Sequence, residues 1–336
     1  MNLKFAALAA LSIAAAPAAG AEPIQIKFGT TGPAFGPLHD EAYSAWAKDV
    51  TEASQGAVEV KVFAAQQLGT MINIYDRMLN GVAEVAYMVL GPISTQFPRA
   101  TVVGLPYLVS SPMEAAQALW NAYEHRVFAD EFDKCHPVAM AAFTNTTLHA
   151  RKPFATLDDI KGWKIGAQSR LTGEVAEKLG GAAVSLPIAE SYQALSRGTI
   201  DAYLTGWPGI VPFKLAEVTV THVDTPLAAE MAFNCMNKET YARLPAAGKA
   251  AVDKYSGMPF SERMARAIAK MADQGRVAAM ERKDAKMLKL SPSEEERWKQ
   301  RLAPVAEDWV KATPDGAKVL AQFKAEVAKV RAGGVK

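Results

Sequence analysis

Cysteine is nearly absent: Cys135 and Cys235 are the only two in 336 residues. They stand far apart and in no metal-like spacing, which argues against a thiolate metal centre. Two arrangements stay open, one bridge in an oxidising compartment or two buried free thiols. An excess of either charge is lacking too, since 37 Lys and Arg face 35 Asp and Glu. A chain this close to neutral offers no basic surface for nucleic acid or anionic lipid. Long hydrophobic runs stop early. The stretch Phe5 to Ala16 is too short to cross about 30 Å of hydrocarbon, and no later segment approaches the roughly 20 apolar residues a spanning helix needs. No Ser/Gly-rich linker occurs, which argues against independent tethered domains.

Catalytic motifs are missing as well. The five histidines, His39, His125, His136, His149 and His222, are scattered, with no HExxH and no Cys/His cluster. There is no GxSxG elbow, P-loop or GxGxxG turn. Asp158-Asp159 comes nearest to a carboxylate pair and reads as a solvated turn. The sequence therefore predicts no catalytic centre, no metal site and no cofactor.

What is present begins with a leader. Met1 to Ala21 carries one early positive charge (Lys4), an apolar run, and the small residues Ala19, Gly20 and Ala21 before Glu22-Pro23. That is the pattern of a secretory signal peptide cleaved after Ala21, so the mature chain is expected to be exported. The 336 residues less these 21 leave 315, more than one core usually holds, and 50% of all residues are hydrophobic. Two lobes are expected.

The mature sequence shows one pattern twice. Ile24 to Thr30 alternates like a strand; Leu38, Ala42, Ala45, Trp46 and Val50 recur at helical spacing; Val58, Val60 and Val62 alternate again; Met71, Ile74, Met78 and Leu79 form a helical face; Glu84 to Leu90 is a third strand. From Trp163 the order returns: a strand at Trp163 and Ile165, a helix on Leu171, Val175 and Leu179, a strand at Val184 and Leu186, a helix on Ile188, Tyr192 and Leu195, and a strand at Ile200 to Thr205. Even the wording repeats, "MLNGVAEVAY" (Met78 to Tyr87) against "ALSRGTIDAY" (Ala194 to Tyr203). Each βαβαβ unit predicts a parallel sheet, and two facing units make a cleft at the carboxyl ends of their strands. Pro137 to His149 and Ala228 to Asn237 read as strands that cross between lobes and return. From Pro259 onward the chain reads as almost wholly helical, a layer spanning both lobes. The expected division is residues 22–145 plus 226–260 for lobe I, and residues 146–225 plus 261–336 for lobe II and the helical clasp.

Four separated stretches carry a resemblance. "TLDDIKGWKI" (Thr156 to Ile165), "LPIAESYQALSRGTIDAYLTGWPGI" (Leu186 to Ile210), "FKLAEV" (Phe213 to Val218) and "MNKETYARLP" (Met236 to Pro245) resemble the hallmark segments of the extracytoplasmic solute-binding proteins of TRAP transporters, the DctP family. The likeness runs in order over essentially the whole mature chain. It implies a two-lobed α/β periplasmic-binding-protein-like fold and no enzyme activity. A small organic acid would bind in the interlobe cleft and pass to membrane permease subunits, with the receptor working as a monomer in the periplasm.

The resemblance also implies an arginine just after the "GxKI" element, forking onto the ligand's carboxylate. That position is Gly166 here. The hinge strand, where such proteins often place a second polar contact, reads Asn145-Thr146-Thr147. A lost fork of charge-assisted bonds, about 1.5–3 kcal/mol each, leaves two readings. In one, the ligand is not a carboxylate but a neutral, amine or aromatic compound held by Trp207, Phe35 and Tyr87. In the other, favoured one, the anion site has moved to Arg170, at the first turn of a helix, with the amides of Ala167, Gln168 and Ser169 beside it. Trp207, between Gly206 and Pro208, is expected at the cleft rim, and Gly166 is expected to leave extra room for an apolar group. Gln66 and His39 complete the candidate ligand contacts, and Tyr192 and Leu195 are expected in the core. An exported enzyme or a sensory binding partner are the competing classes.

Overall fold

The computed structural model describes residues 22–333, the side chain of Asn145 excepted; the expected leader, residues 1–21, lies outside them. The chain forms β1 (Ile24–Gly29), a π-helical turn (Leu38–Ser44) running into α1 (Ala45–Ala53), β2 (Val58–Phe63), α2 (Ile74–Leu79), β3 (Val85–Val89), α3 (Pro112–Glu124) and β4 (Cys135–Ala150). It continues through β5 (Lys164–Ala167), α4 (Arg170–Lys178), β6 (Ala182–Ser185), α5 (Ile188–Ser196), β7 (Ala202–Thr205), β8 (Thr221–Val223) and β9 (Ala228–Asn237). It ends in α6 (Lys238–Arg243), α7 (Ala246–Tyr255), α8 (Met258–Ala279), β10 (Lys286–Leu288), α9 (Pro292–Ala312) and α10 (Gly316–Gly333).

Both βαβαβ units form as the periodicities predict. β1 pairs in parallel with β2 and β3, and β5 pairs in parallel with β6 and β7. Strand order is β2-β1-β3-β9-β4-β7-β5-β6, so the two crossing strands join the units into one sheet. β9 runs antiparallel to β3 and to β4, and β4 runs on to pair with β7 from Thr147 to Ala150. The β4–β9 register shifts between Phe143 and Thr146, a bulge where the chain passes from one half to the other. All ten residues of β9 are buried, which explains its nearly unbroken apolar sequence.

Cys135 and Cys235 are joined in a disulfide with their Cα atoms 5.9 Å apart, tying the outer ends of β4 and β9. Of the two arrangements left open by the sequence, the bridge is the one formed.

α8, 22 residues long, extends about 33 Å and spans both halves. It packs on α3 and β4 at one end and on the turn Trp207–Gly209 at the other. There a Cβ on Gly275 would fall 2.0 Å from the Trp207 carbonyl oxygen, so only glycine permits the approach. The boundary expected at 260/261 falls inside this unbroken helix. α10 rests on α3 and α9 on α4, so the C-terminal layer grips both halves. One correction applies to this region: β10 is a strand, paired in parallel with β8.

Candidate ligand cleft

A cavity of about 190 Å³ lies between the two halves, at the carboxyl ends of the parallel strands. The loop after β1 forms one wall through Thr31, Pro33 and Phe35. Hydrogen bonds hold that loop: Thr30 N–H donates to Phe63 O (2.8 Å), Ala65 N–H to Gly32 O (2.7 Å), and Gly36 N–H to the Asp40 carboxylate (2.9 Å). The π-helical turn, a device enriched at functional sites, brings His39 and Tyr43 to the same wall. Tyr87 and Val89 of β3 complete it. The opposite wall is Gln168 after β5, Ile188, Thr205, Pro208 and Phe213. Phe143, Thr146 and Glu230 on the crossing strands form the floor, and Met271 of α8 closes one side.

The lining is mostly apolar and aromatic, and it contains no Lys or Arg. Its one acidic side chain is Glu230, 8% exposed. Burial pushes the Glu230 carboxyl up to about 7, against a smaller opposing pull from the Gly91 N–H. A Cβ on Gly91 would stand 3.0 Å from Glu230 Oε1, so the glycine makes room for the carboxyl. The Tyr43 and Tyr87 rings meet at a tilt of 48° with centroids 5.4 Å apart, and burial raises both phenols well above their ordinary range. His39 Nδ1 is buried without a hydrogen-bond partner, and the Tyr43 hydroxyl is buried with the Tyr87 side chain beside it but no hydrogen bond of good geometry. They are donors or acceptors available to a guest.

Of the residues singled out by sequence, Phe35, His39, Tyr87 and Gln168 share this cleft, Phe35 at the rim and 73% exposed. Trp207 does not. It is fully buried, its indole N–H donates to Asp224 (3.1 Å), and its ring packs on His149 with Arg276 5.4 Å above it. The turn carrying Trp207 points it inward under α8 rather than out to the rim. Gly166 offers no extra room either: a Cβ there would lie 2.4 Å from Tyr203 Cδ2, because Tyr203 fills the space.

Arg170 and Ser169 line a second cavity of about 160 Å³, walled by Leu90 and Gly91 after β3 and by Glu174, Asp308 and Trp309, and it shares Glu230 with the first. Arg170 is exposed, and Glu174 one helical turn on feels its charge. Ser169 Oγ accepts from Thr172 N–H (3.2 Å) and so caps α4 itself, occupying part of the expected anion nest. Gln66 sits exposed in the turn after β2, with φ at 64°, its N–H donating to Thr30 O (3.2 Å), and does not line the cleft. Asn145 lies in β4, its side chain outside the described atoms. Tyr192 is half-buried, its hydroxyl donating to Glu217 (3.0 Å), whereas Leu195 is in the core.

Glu230, Tyr43, Phe143 and Phe213 are among the lining residues that sequence reasoning missed. Glu230 left a signal: it is the single charged residue in "AAEMAFNCMN", a strand otherwise suited to complete burial. Among the described residues no group of three or more His, Cys, Asp or Glu could hold a metal ion, and no helix is long and apolar enough to cross a membrane.

Two α/β halves joined by crossing strands, with a cleft between them and a helix strapped across both, define a two-lobed ligand receptor. The chain belongs to the bacterial extracellular solute-binding proteins of family 7, the DctP family, whose model matches residues 10–312. These are solute-binding receptors, not enzymes. The matches span 40% to 66% of the length of the curated relatives. The outer membrane transporter protein TsaT of Comamonas testosteroni is 27% identical over 226 residues, 65% of this chain and 66% of that one. A TRAP solute-binding protein from Rhodoferax ferrireducens, solved with copurified benzoate, is 26% identical over 91% of this chain and 98% of its own, with a TM-score of 0.84. A marine metagenome TRAP solute-binding protein, solved with 3-hydroxybenzoate, is 23% identical over 92% of this chain and 99% of its own, with a TM-score of 0.86.

Proposed function

We propose that this chain is the periplasmic receptor of a TRAP transporter and that it binds a small aromatic or bulky apolar organic acid in the interlobe cleft. The observation that carries this reading is the cleft lining: aromatic and aliphatic walls around a few convergent polar groups, the composition of a site for a compact, largely apolar guest. The benzoate and 3-hydroxybenzoate held by the two similar solved structures support the ligand class. The lobes, residues 22–145 with 226–260 and residues 146–225 with 261–336, close about the β4 bulge, desolvate the ligand and present the closed form to the membrane subunits.

The test is thermal unfolding of the purified protein against aromatic acids, aliphatic acids, neutral aromatics and amines. A ligand at about a hundred times its dissociation constant adds roughly 2.7 kcal/mol, an upward shift of several degrees. Shifts with aromatic carboxylates are expected. Shifts confined to neutral compounds or amines would remove the acid reading and leave the receptor reading in place.

A further inference from the structure

We infer that Glu230 binds in its protonated form, donating to the ligand's carboxylate, so that this receptor takes up a proton together with its acid. The inference rests on the acid reading above and on the geometry of the cleft floor. An aromatic carboxylic acid is ionised at neutral pH, as Asp and Glu side chains are. Its carboxylate enters a cavity lined by no Lys or Arg, with one carboxyl already on the floor. Two ionised carboxyls in so small a space repel strongly, and such pairs resolve the conflict by keeping one proton between them.

Glu230 is built for that part. It stands on β9 opposite Phe143, at the bulge where the crossing strands pass between lobes. Among the described residues no side chain makes a hydrogen bond or salt bridge to it, and its near polar neighbour is the Gly91 N–H. Among the described residues a permanently ionised glutamate here would have the Gly91 N–H as its one donor, fewer than a buried carboxylate requires. The protonated acid, by contrast, has a hydrogen to give to a guest. The ionisable groups around it are Tyr87 on β3, Tyr203 on β7, and His39 and Tyr43 on the π-helical turn. Glu230 also borders the second cavity, whose lining includes Arg170, Glu174 and Asp308. Burial sets its proton affinity near neutrality, so proton uptake and release fall in the working pH range.

Isothermal titration of the purified receptor with benzoate or 3-hydroxybenzoate between pH 5.5 and 8.5 tests the inference, run in buffers of different ionisation enthalpy. The affinity is expected to fall about tenfold per pH unit above pH 7, with about half a proton taken up per ligand at pH 7. Glu230→Gln is expected to flatten the profile and abolish the uptake. A flat profile or zero uptake in the unmodified protein overturns the inference while leaving an acid receptor standing. A slope that survives Glu230→Gln and vanishes in His39→Gln also overturns it, assigning the proton to His39. Benzylamine is the opposing probe: binding of the amine, without binding of any acid at pH 5.5, removes this inference and the acid reading together.

Discussion

Tyr203 on β7 lies directly opposite Gly166 on β5, and its ring occupies the space where any side chain at 166 would begin. The Tyr203 hydroxyl donates to Leu186 O (2.8 Å), so the ring is held and cannot swing clear cheaply. Replacing the glycine by arginine therefore does not rebuild an anion site. Gly166→Arg is expected to overpack the β5–β7 pair and cost about 1–3 kcal/mol or more. Gly166→Arg with Tyr203→Ala should cost less than the sum of the two single changes, because both act on one space. Chemical denaturation of the four proteins in that cycle checks it, and strict additivity would show that the two residues do not compete.

Arg170 was the favoured anion contact by sequence, and its place in the structure predicts the opposite of that expectation. It lines the second cavity rather than the apolar cleft, and it is exposed. Arg170→Ala should leave the affinity for aromatic acids within about threefold and the stability within about 0.5 kcal/mol. A tenfold loss of affinity in titration calorimetry would return the anion site to the start of α4.

The contrast between what was legible and what was not has a physical origin. Strand alternation and helical spacing are local, so both βαβαβ units, the crossing strands and the long C-terminal helices could be read from sequence alone. The cleft position of Phe35, His39, Tyr87 and Gln168 followed from a general rule about strand ends. Trp207 and Gly166 depended on contacts between distant segments: α8 laid over one, and the β5–β7 register put Tyr203 over the other. β10 is three residues long and exists only through β8. Glu230 was visible as a lone charge in a buried strand, but its meaning required knowing that the cleft contains no cation.

Trp207 acts on stability rather than on ligand contact. Its indole N–H bond to Asp224 and the Arg276 guanidinium over its ring join α8 to the lobe II turn. Trp207→Phe removes the donor while keeping most of the ring, and should cost about 1–3 kcal/mol of stability through the lost bond to Asp224, which keeps its Arg276 partner, and the poorer fit. Ligand affinity, measured on the folded variant, should change less than threefold. A larger affinity loss with unchanged stability would place Trp207 at the ligand after all.

The disulfide closes a loop of about 100 residues between the two crossing strands, at the end away from the bulge. Chain-entropy arguments put its contribution at up to about 4.7 kcal/mol, acting mainly on the unfolded chain. Cys135→Ser with Cys235→Ser should therefore lower the unfolding free energy by about 2–4 kcal/mol and leave ligand affinity within about threefold. Equal denaturation midpoints for oxidised and reduced protein would contradict this.

Glu230 also predicts how stability depends on pH. Its folded value of about 7 stands above the ordinary 4.5, so between those values the folded chain holds a proton that the unfolded chain has released. Stability from this group is fully present below about pH 4.5 and is lost as pH rises to about 7, a total of about 3 kcal/mol. The His149–His222 pair, Nδ1 to Nδ1 at 2.8 Å, works in the opposite direction. Burial lowers both histidines, His222 to about 4, so their contribution is present above about 6.5 and lost as pH falls. Because the two slopes oppose each other between about 4.5 and 6.5, the whole-protein profile hides Glu230, and a difference measurement is needed. Denaturant unfolding of the ligand-free protein and of Glu230→Gln at pH 5 and pH 8 isolates it: the variant should lose less stability, or gain more, on going from pH 5 to pH 8. Parallel behaviour of the two proteins would mean that Glu230 is already ionised in the empty cleft, and that its proton must be supplied entirely by the arrival of the ligand.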